Sequence, residues 1–293
     1  MLSITISDEY NSQRIDKFLC KKFDISFSLS QKIIREKKVK INHKKAQIND
    51  KLSIGDQVSI FEKLNLRKEN PLSKPNISIE KQKKFWQNII FEDENIIAIN
   101  KPSGLATQGG SLIDISVDDF AKLKKYQLVH RLDKDTSGVL LIAKNNHSSE
   151  FLIEAFKNKT IRKTYIALVL GHVKKNFGTI DIPLAKKMLG KNEKVQADFE
   201  FGKKAITNYR VIKNFNDFTQ LELNPITGRT HQLRVHCKEI GHPILNDIKY
   251  GGKKVDFKTT FPRLCLHSFK IEIPNYNQQT LVIQTPPPNF TLK

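Results

Sequence analysis

Residues 128–144 read LVHRLDKDTSGVLLIAK: two apolar runs on either side of a short polar loop. VLLIAK is a run of hydrophobes that reads as a strand, entered through a turn at Thr136, Ser137 and Gly138. The loop packs His130, Arg131, Asp133, Lys134 and Asp135 into six positions. The loop is thus a polar segment between a strand-like LVH and the strand VLLIAK.

The pattern repeats outward from there. NIIAINKPSG (95–104) is a strand running into a Pro-Ser-Gly turn. KTYIALVLG (163–171), GTIDIPL (178–184), AITNYRVIK (205–213) and FTQLELN (218–224) read as strands, the last with clean alternation. HSFKIEI (267–273) and TLVIQT (280–285) follow near the end. Two helices interrupt them. One covers 148–157, with Phe151, Leu152, Ala155 and Phe156 apolar; the other follows Gly228, with Leu233, Cys237 and Ile240 on one face. Many neighbouring strands are joined by connections too short for a helical crossover. The expected fold class is therefore α+β, a mixed and mainly antiparallel sheet with helices and loops packed around a central cleft.

Ahead of this unit, residues 1–65 form a smaller one. A helix from Arg14 to Lys22 puts Ile15, Phe18 and Leu19 on one face, a second helix starts near Ser30, and short strands VKIN and QVSIF surround the Gly55-Asp56 turn. The window 27–51 carries Lys32, Arg35, Lys37, Lys38, Lys40, Lys44, Lys45 and Lys51 against only Glu36 and Asp50. That is a directed basic surface. Residues 66–84, with two prolines, many charges and no sustained period, read as a linker to a domain at 85–293.

The chain has 293 residues and a formal net charge of +20, from 50 Lys and Arg against 30 Asp and Glu. Charge excess of this size costs self-repulsion and points to a polyanionic partner, nucleic acid ahead of an anionic membrane surface. A Lys-rich compositional bias produces the same excess without a partner. No apolar run nears the ~20 residues that span a bilayer, and no basic amphipathic helix is long enough for surface anchoring. The first residues, MLSITISDEYNSQR, lack the cationic start and apolar core of a signal peptide. Three scattered cysteines, Cys20, Cys237 and Cys265, argue for a reducing compartment, so a cytoplasmic location is expected.

Several chemistries drop out. Neither G-x-x-x-x-G-K-[ST] nor G-x-G-x-x-G occurs, and there is no G-x-S-x-G elbow, so no nucleotide cofactor or acyl hydrolase is expected. His231, His236, Cys237, His242, Cys265 and His267 gather toward the C-terminus, but their spacings match no metal motif, and no metal is expected. The remaining candidates are the loop at 130–138 and TGRTHQLRVH (227–236). Thr230 and Arg234 lie four apart on the expected helix and share a face. A carboxylate from the first segment could meet Arg234 from the second, which would keep it ionised for work as nucleophile or base. An ion pair that merely joins two loops fits the same residues equally well.

HRLDKDTSG, KTYIALV and TGRTHQLRVH, in this order, resemble the three motifs of the RluA-type pseudouridine synthases. KPSGLATQGG (101–110), GHPILNDIKYG (241–251) and the Leu266-His267 pair also fit, so the likeness covers nearly all of residues 90–293. The N-terminal unit is similar to the S4 RNA-binding domain, a small α/β module that precedes the catalytic domain in larger members. The resemblance implies isomerisation of uridine to pseudouridine in RNA, with no cofactor. It implies Asp133 as the catalytic aspartate, Tyr165 as the aromatic that stacks on the base and is implicated in proton removal from C5, and Arg234 as the partner of the aspartate. Arg131 matches an arginine that helps displace the target nucleotide, while Asp135 lies at a variable position and takes no role. His130, Arg229 and His231 join Arg131 as expected RNA contacts, with Lys32, Arg35, Lys37, Lys38 and Lys40 on the S4-like surface.

The chain departs from the family pattern at four places. Gln108 stands for a common histidine, Asn246 for a usual glycine, Leu29 for a common arginine and His43 for a turn glycine. The S4-like unit and the 101–111 stretch look most like members acting on large-subunit ribosomal RNA, which is the expected partner. A transfer RNA synthase of the same family and a non-catalytic RNA-binding or ribosome-assembly factor are the competing readings. A monomer is expected, since the RNA itself supplies a large interface.

Overall fold

The computed structural model describes residues 2–23, 25, 27–61, 77–109, 113–189, 192–251, 263–286, 288 and 290, in two compact units, Met1–Asn76 and Ile77–Lys293. In the first, β1 (Leu2–Thr5) is followed by α1 (Ile15–Phe23), α2 (Phe27–Arg35), β2 (Val39–Ile41), β3 (Lys44–Lys45) and β4 (Gln57–Ile60). The strands form one sheet in the order β1-β4-β2-β3. Ile15, Phe18 and Leu19 of α1 pack with Ile33 and Ile34 of α2 on Val39, Val58 and Ile60, all buried. The helix expected near Ser30 begins at Phe27; the Ser30 hydroxyl donates back to the Phe27 carbonyl. Between β2 and β3 a two-residue turn has Asn42 at φ 47° and His43 at φ 67°. A tight hairpin turn of this kind needs positive φ at both centres, which explains why glycine suits the position that His43 fills here.

The second unit contains α3 (Ile79–Trp86), β5 (Ile89–Glu92), β6 (Ile96–Lys101), α4 (Val117–Leu123), β7 (Gln127–Leu128), β8 (Ser137–Ala143) and α5 (Asn146–Lys157). Then come β9 (Arg162–Leu170), β10 (Phe177–Asp181), β11 (Leu184–Leu189), β12 (Asn192–Ala197), β13 (Ile206–Asn214) and β14 (Phe218–Pro225). Last are α6 (Gln232–Glu239), β15 (Leu266–Tyr276) and β16 (Gln279–Gln284). The main sheet runs β10-β13-β14-β9-β15-β8-β6-β5, with β16 on β15 and β7 on β8; β11 and β12 make a separate hairpin. All its pairings are antiparallel except β15 with β8. The α+β architecture expected from the strand spacing is thus the one observed.

Every residue of β8 is buried, as its unbroken apolar run requires. Its parallel contact with β15 pairs Ser137 with His267 and Gly138 with Ser268. Gly138 has φ +109°, and a Cβ there would sit 2.1 Å from the Ser268 carbonyl oxygen, so the loop can enter this strand only through glycine.

Two expectations need correction. The linker does not extend to Lys84: Ser78 caps α3 by accepting from the Lys81 N–H at 3.3 Å, and Phe85 stacks on Phe120 with centroids 4.0 Å apart. Residues 66–76 of that stretch lie outside the described ones. The helix after Gly228 begins only at Gln232, so Thr230 precedes it and shares no helical face with Arg234. His231, directly after Thr230, takes a left-handed φ of 51° at the N-cap, and that turn breaks the period.

Candidate active site

Asp133 sits on the loop that enters β8, and the segment 101–107 clamps that loop by its backbone. The Thr107 hydroxyl donates to the Leu132 carbonyl at 2.7 Å and accepts from the Leu132 N–H at 3.1 Å. Lys101, fully buried, donates Nζ to the carbonyls of Pro102, Leu105 and Lys134 at 2.9, 2.7 and 3.1 Å. Burial pulls its pKa down to about 7, against the pull of Asp135 and Asp133. The Gly104 N–H also reaches the Lys134 carbonyl, and the Ser103 hydroxyl donates to that of Asp135. With the backbone so held, Asp133 keeps its carboxylate partly exposed, at 18 %.

On the facing side α6 supplies Arg234. Its guanidinium makes a bidentate pair with Asp247: Nε to Oδ2 and Nη2 to Oδ1, both 2.7 Å. The remaining Nη1 lies 3.6 Å from Oδ2 of Asp133. Burial alone would lower the pKa of Arg234, but the bond and charge of Asp247, joined by Asp133, raise it. Asp247 is buried and also accepts the N–H groups of Lys249 and Tyr250, both at 3.0 Å. The arginine is therefore oriented by one carboxylate and presented to another. The Tyr250 ring lies 5.1 Å below its guanidinium carbon, and the Tyr250 hydroxyl meets Nδ1 of His231 at 2.7 Å. The other ring nitrogen of His231 is 3.9 Å from Asp133.

Gln232 anchors the start of α6. Its Oε1 accepts from the Thr227 hydroxyl and the Arg229 N–H at 2.7 and 3.0 Å, and its Nε2 donates to the Ile206 carbonyl and to Thr207. All four capacities of a buried amide are used, which sets the direction of the helix that carries Arg234.

Asp133, Tyr165 and Arg234 line one cavity of about 430 Å³. Tyr165 comes from β9, opposite Leu223 of β14 and Ser268 of β15. Burial above all pushes its phenol up to about 12, and the nearby Asp133 charge adds to this. At neutral pH it offers an aromatic face and an intact hydroxyl. Asp133 is the only acid on the wall among the described residues, against Arg131, Lys157, Lys159, Lys163 and Arg229 as well as Arg234. A cavity this small, aromatic on one side and ringed by cations, fits one flat base together with the flanking phosphates.

Residues 95–239 match the RNA pseudouridylate synthase family and residues 13–58 match the S4 domain. The ribosomal large subunit pseudouridine synthase C of Rickettsia conorii is 42% identical over 254 residues, covering 83% of this chain and 84% of that protein. That of Vibrio vulnificus is 34% identical over 293 residues, covering 97% and 92%. The chain belongs to the RNA pseudouridylate synthase family. It is an RNA pseudouridine synthase with an S4 domain ahead of its catalytic unit. Among solved structures, human RNA pseudouridylate synthase domain containing 4 superposes with a TM-score of 0.60 at 26% identity, covering 71% of this chain and 92% of that one. The human domain containing 1 gives 0.59 at 26% identity, covering 69% and 83%.

The other expected contacts divide. Arg131 and Arg229 are exposed on the cavity rim; Arg229 also donates Nε to the Lys204 carbonyl at 3.1 Å. His130 lines the cavity too, but its Nε2 accepts the Leu141 N–H at 2.8 Å, its ring stacks on Phe156, and burial pulls its pKa to about 3. It has no charge to offer a phosphate at neutral pH and holds the loop to β8 instead. His231 is likewise held toward the neutral form, by burial against the pull of Asp133. Lys32, Arg35, Lys37, Lys38 and Lys40 all belong to the first unit, on α2, the turn after it and β2.

Asp247, Lys163 and Gln232 were not singled out from sequence. Each lies inside a quoted motif, so their position was available; what was missing was the pairing, which arises only when α6 folds against the 241–251 loop. His236 is buried, with its ring nitrogens facing Thr207 and the Ile182 carbonyl, and burial pushes the Cys237 and Cys265 thiols up to about 12. These groups are occupied in packing and hydrogen bonding.

Proposed function

We propose that this enzyme converts uridines of large-subunit ribosomal RNA to pseudouridine, with Asp133 as the reacting carboxylate. The observation that carries the chemistry is the carboxylate of Asp133, partly exposed in a cationic cavity and faced by an arginine that Asp247 has already locked. In the isomerisation the N1–C1′ bond breaks, the uracil turns, and a C5–C1′ bond forms. A carboxylate serves attack at C1′, attack at C6 or promotion of elimination, and in each case it must be ionised and fixed. The 101–107 clamp does the fixing, and Arg234 sets its positive charge 3.6 Å from the carboxylate.

A stacked base cannot turn, so the nucleotide must first leave the helix and enter the cavity. Arg131 and Arg229 on the rim fill the vacated space and hold the flanking phosphates. Tyr165 stacks on the uracil and keeps its hydroxyl near C5. Ribosomal RNA as the substrate is supported by the names of the Rickettsia and Vibrio relatives. Pseudouridine mapping across all RNA of cells lacking the gene tests it. Loss of specific sites in large-subunit ribosomal RNA is expected; losses confined to transfer RNA would contradict the substrate, and an unchanged map would contradict the activity.

A further inference from the structure

The β11–β12 hairpin ends in a turn whose two aromatic rings have no place in the core. Phe199 is 79% exposed and Phe201 75%. The turn that carries them is closed by hydrogen bonds and an ion pair. Asp198, buried, accepts the N–H groups of Glu200 and Phe201 at 3.1 and 2.8 Å and pairs with Lys187 at 2.8 Å. Its carbonyl accepts the Gly202 N–H at 3.0 Å, and a Cβ on Gly202 would fall 2.0 Å from that oxygen. Rings held outward by such a turn are surface features of the folded state, since the turn gives them no route inward.

The surroundings point to the occupant. Lys203 and Lys204 follow directly, both exposed and without an ion pair among the described residues. Lys187 already neutralises Asp198, so Glu200 is the one acid left on the turn. Aromatic rings interleaved with lysines suit unpaired nucleotides, whose bases stack while their phosphates meet the cations. A second copy of the chain would bring the same lysines face to face. The turn is also continuous with the cavity: Arg229 on the rim donates to the Lys204 carbonyl, and Phe201 is three residues from Lys204, at most ~11 Å along an extended chain.

We propose that Phe199 and Phe201 are a stacking platform for unpaired bases next to the reacting uridine, so that the enzyme favours targets in single-stranded or loop RNA. This rests on the cavity around Asp133 being the place where the uridine reacts. Flipping a base already out of a duplex spares its unstacking cost, and a platform beside the cavity selects such targets.

The test is binding of the full-length protein to a fluorescein-labelled oligouridylate and to a fully paired duplex of equal length, at one salt concentration. Phe199→Ala with Phe201→Ala should weaken oligouridylate binding by about tenfold or more, as expected for lost base stacking, and leave duplex binding nearly unchanged. Phe→Trp at both positions should restore it and Phe→Leu should not. Unchanged oligouridylate binding in the alanine variant, rescue by leucine equal to that by tryptophan, or a wild-type dimer that the alanine variant dissolves would each overturn the platform. Phe-dependent binding in a wild-type enzyme that forms no pseudouridine would uphold the platform and overturn the catalytic reading instead.

Discussion

Positive charge does two different jobs in this molecule. On the first unit it is a surface property: Lys32 and Lys38 share Glu36, at 4.0 and 2.7 Å, Arg35 reaches Gln31, and Lys40 lies over the exposed Phe61 ring. Such pairs are worth little individually and are screened by salt. In the catalytic cavity the decisive charge is Arg234, buried and held by two bonds to Asp247. A buried charge is costly unless its geometry is complete, and here the completed geometry aims one remaining N–H group at Asp133. On the function proposed above, the first kind of charge would collect RNA at any sequence, while the second faces one carboxylate.

If that contrast holds, changes in the two regions separate into different observables. Arg234→Gln should cost about a hundredfold to a thousandfold in single-turnover rate at saturating RNA, the scale of a lost preorganised electrostatic partner. Its RNA affinity should change little. Arg234→Lys should recover only part of the rate, because the bidentate fork is lost. Asp247→Asn leaves the arginine buried with an incomplete partner and should lower unfolding stability by about 3 kcal/mol, read by urea titration. A variant as stable as wild type would show that Asp247 does not carry the arginine.

Acid stability comes next. His267 is buried, its Nδ1 bonded to Ser137 and its Nε2 to Thr285, both at 2.7 Å, and Arg263 donates to Ser137 at 2.8 Å. Burial lowers its pKa from 6.5 to about 4. A group depressed in this way contributes stability that is complete above its unfolded pKa and is lost as pH falls from 6.5 toward 4. The loss from this residue is about 3 kcal/mol. His267→Gln cannot titrate, so urea unfolding at about pH 7 and about pH 4 should show a smaller acid loss than in wild type. An equal loss would remove His267 from the account. The smallest effect is on the first unit: Lys37→Ala, Lys38→Ala and Lys40→Ala together should flatten the slope of log affinity against log salt by roughly 0.7 to 0.9 per phosphate contact, with rate at saturation unchanged. A reduced saturating rate would mean that these lysines act on chemistry as well.

What was legible in the sequence follows the same division. Strands such as β8 and β14 announced themselves through an unbroken apolar run and a clean alternation. Helix α3 did not, because half of IEKQKKFW is charged and only Phe85 is buried. Arg234 and Asp133 could be named from their motifs, whereas the tighter Arg234–Asp247 pair could not, since nothing local says which of two carboxylates will fold closest. His130 is an expected RNA contact by its motif and a neutral acceptor by environment. Asn246 shows the reverse case. The position that usually carries glycine has φ 57°, a conformation asparagine tolerates better than most residues, so the substitution keeps the turn that delivers Asp247.

The most direct test of the central claim is tritium release from 5-tritiated uridine RNA by Asp133→Asn, with RNA affinity measured on the same preparation. The substitution keeps size and hydrogen bonding and removes the charge that Arg234 faces. Release should fall to background while affinity stays near that of wild type. Normal release from a variant that binds normally would contradict Asp133 as the reacting group.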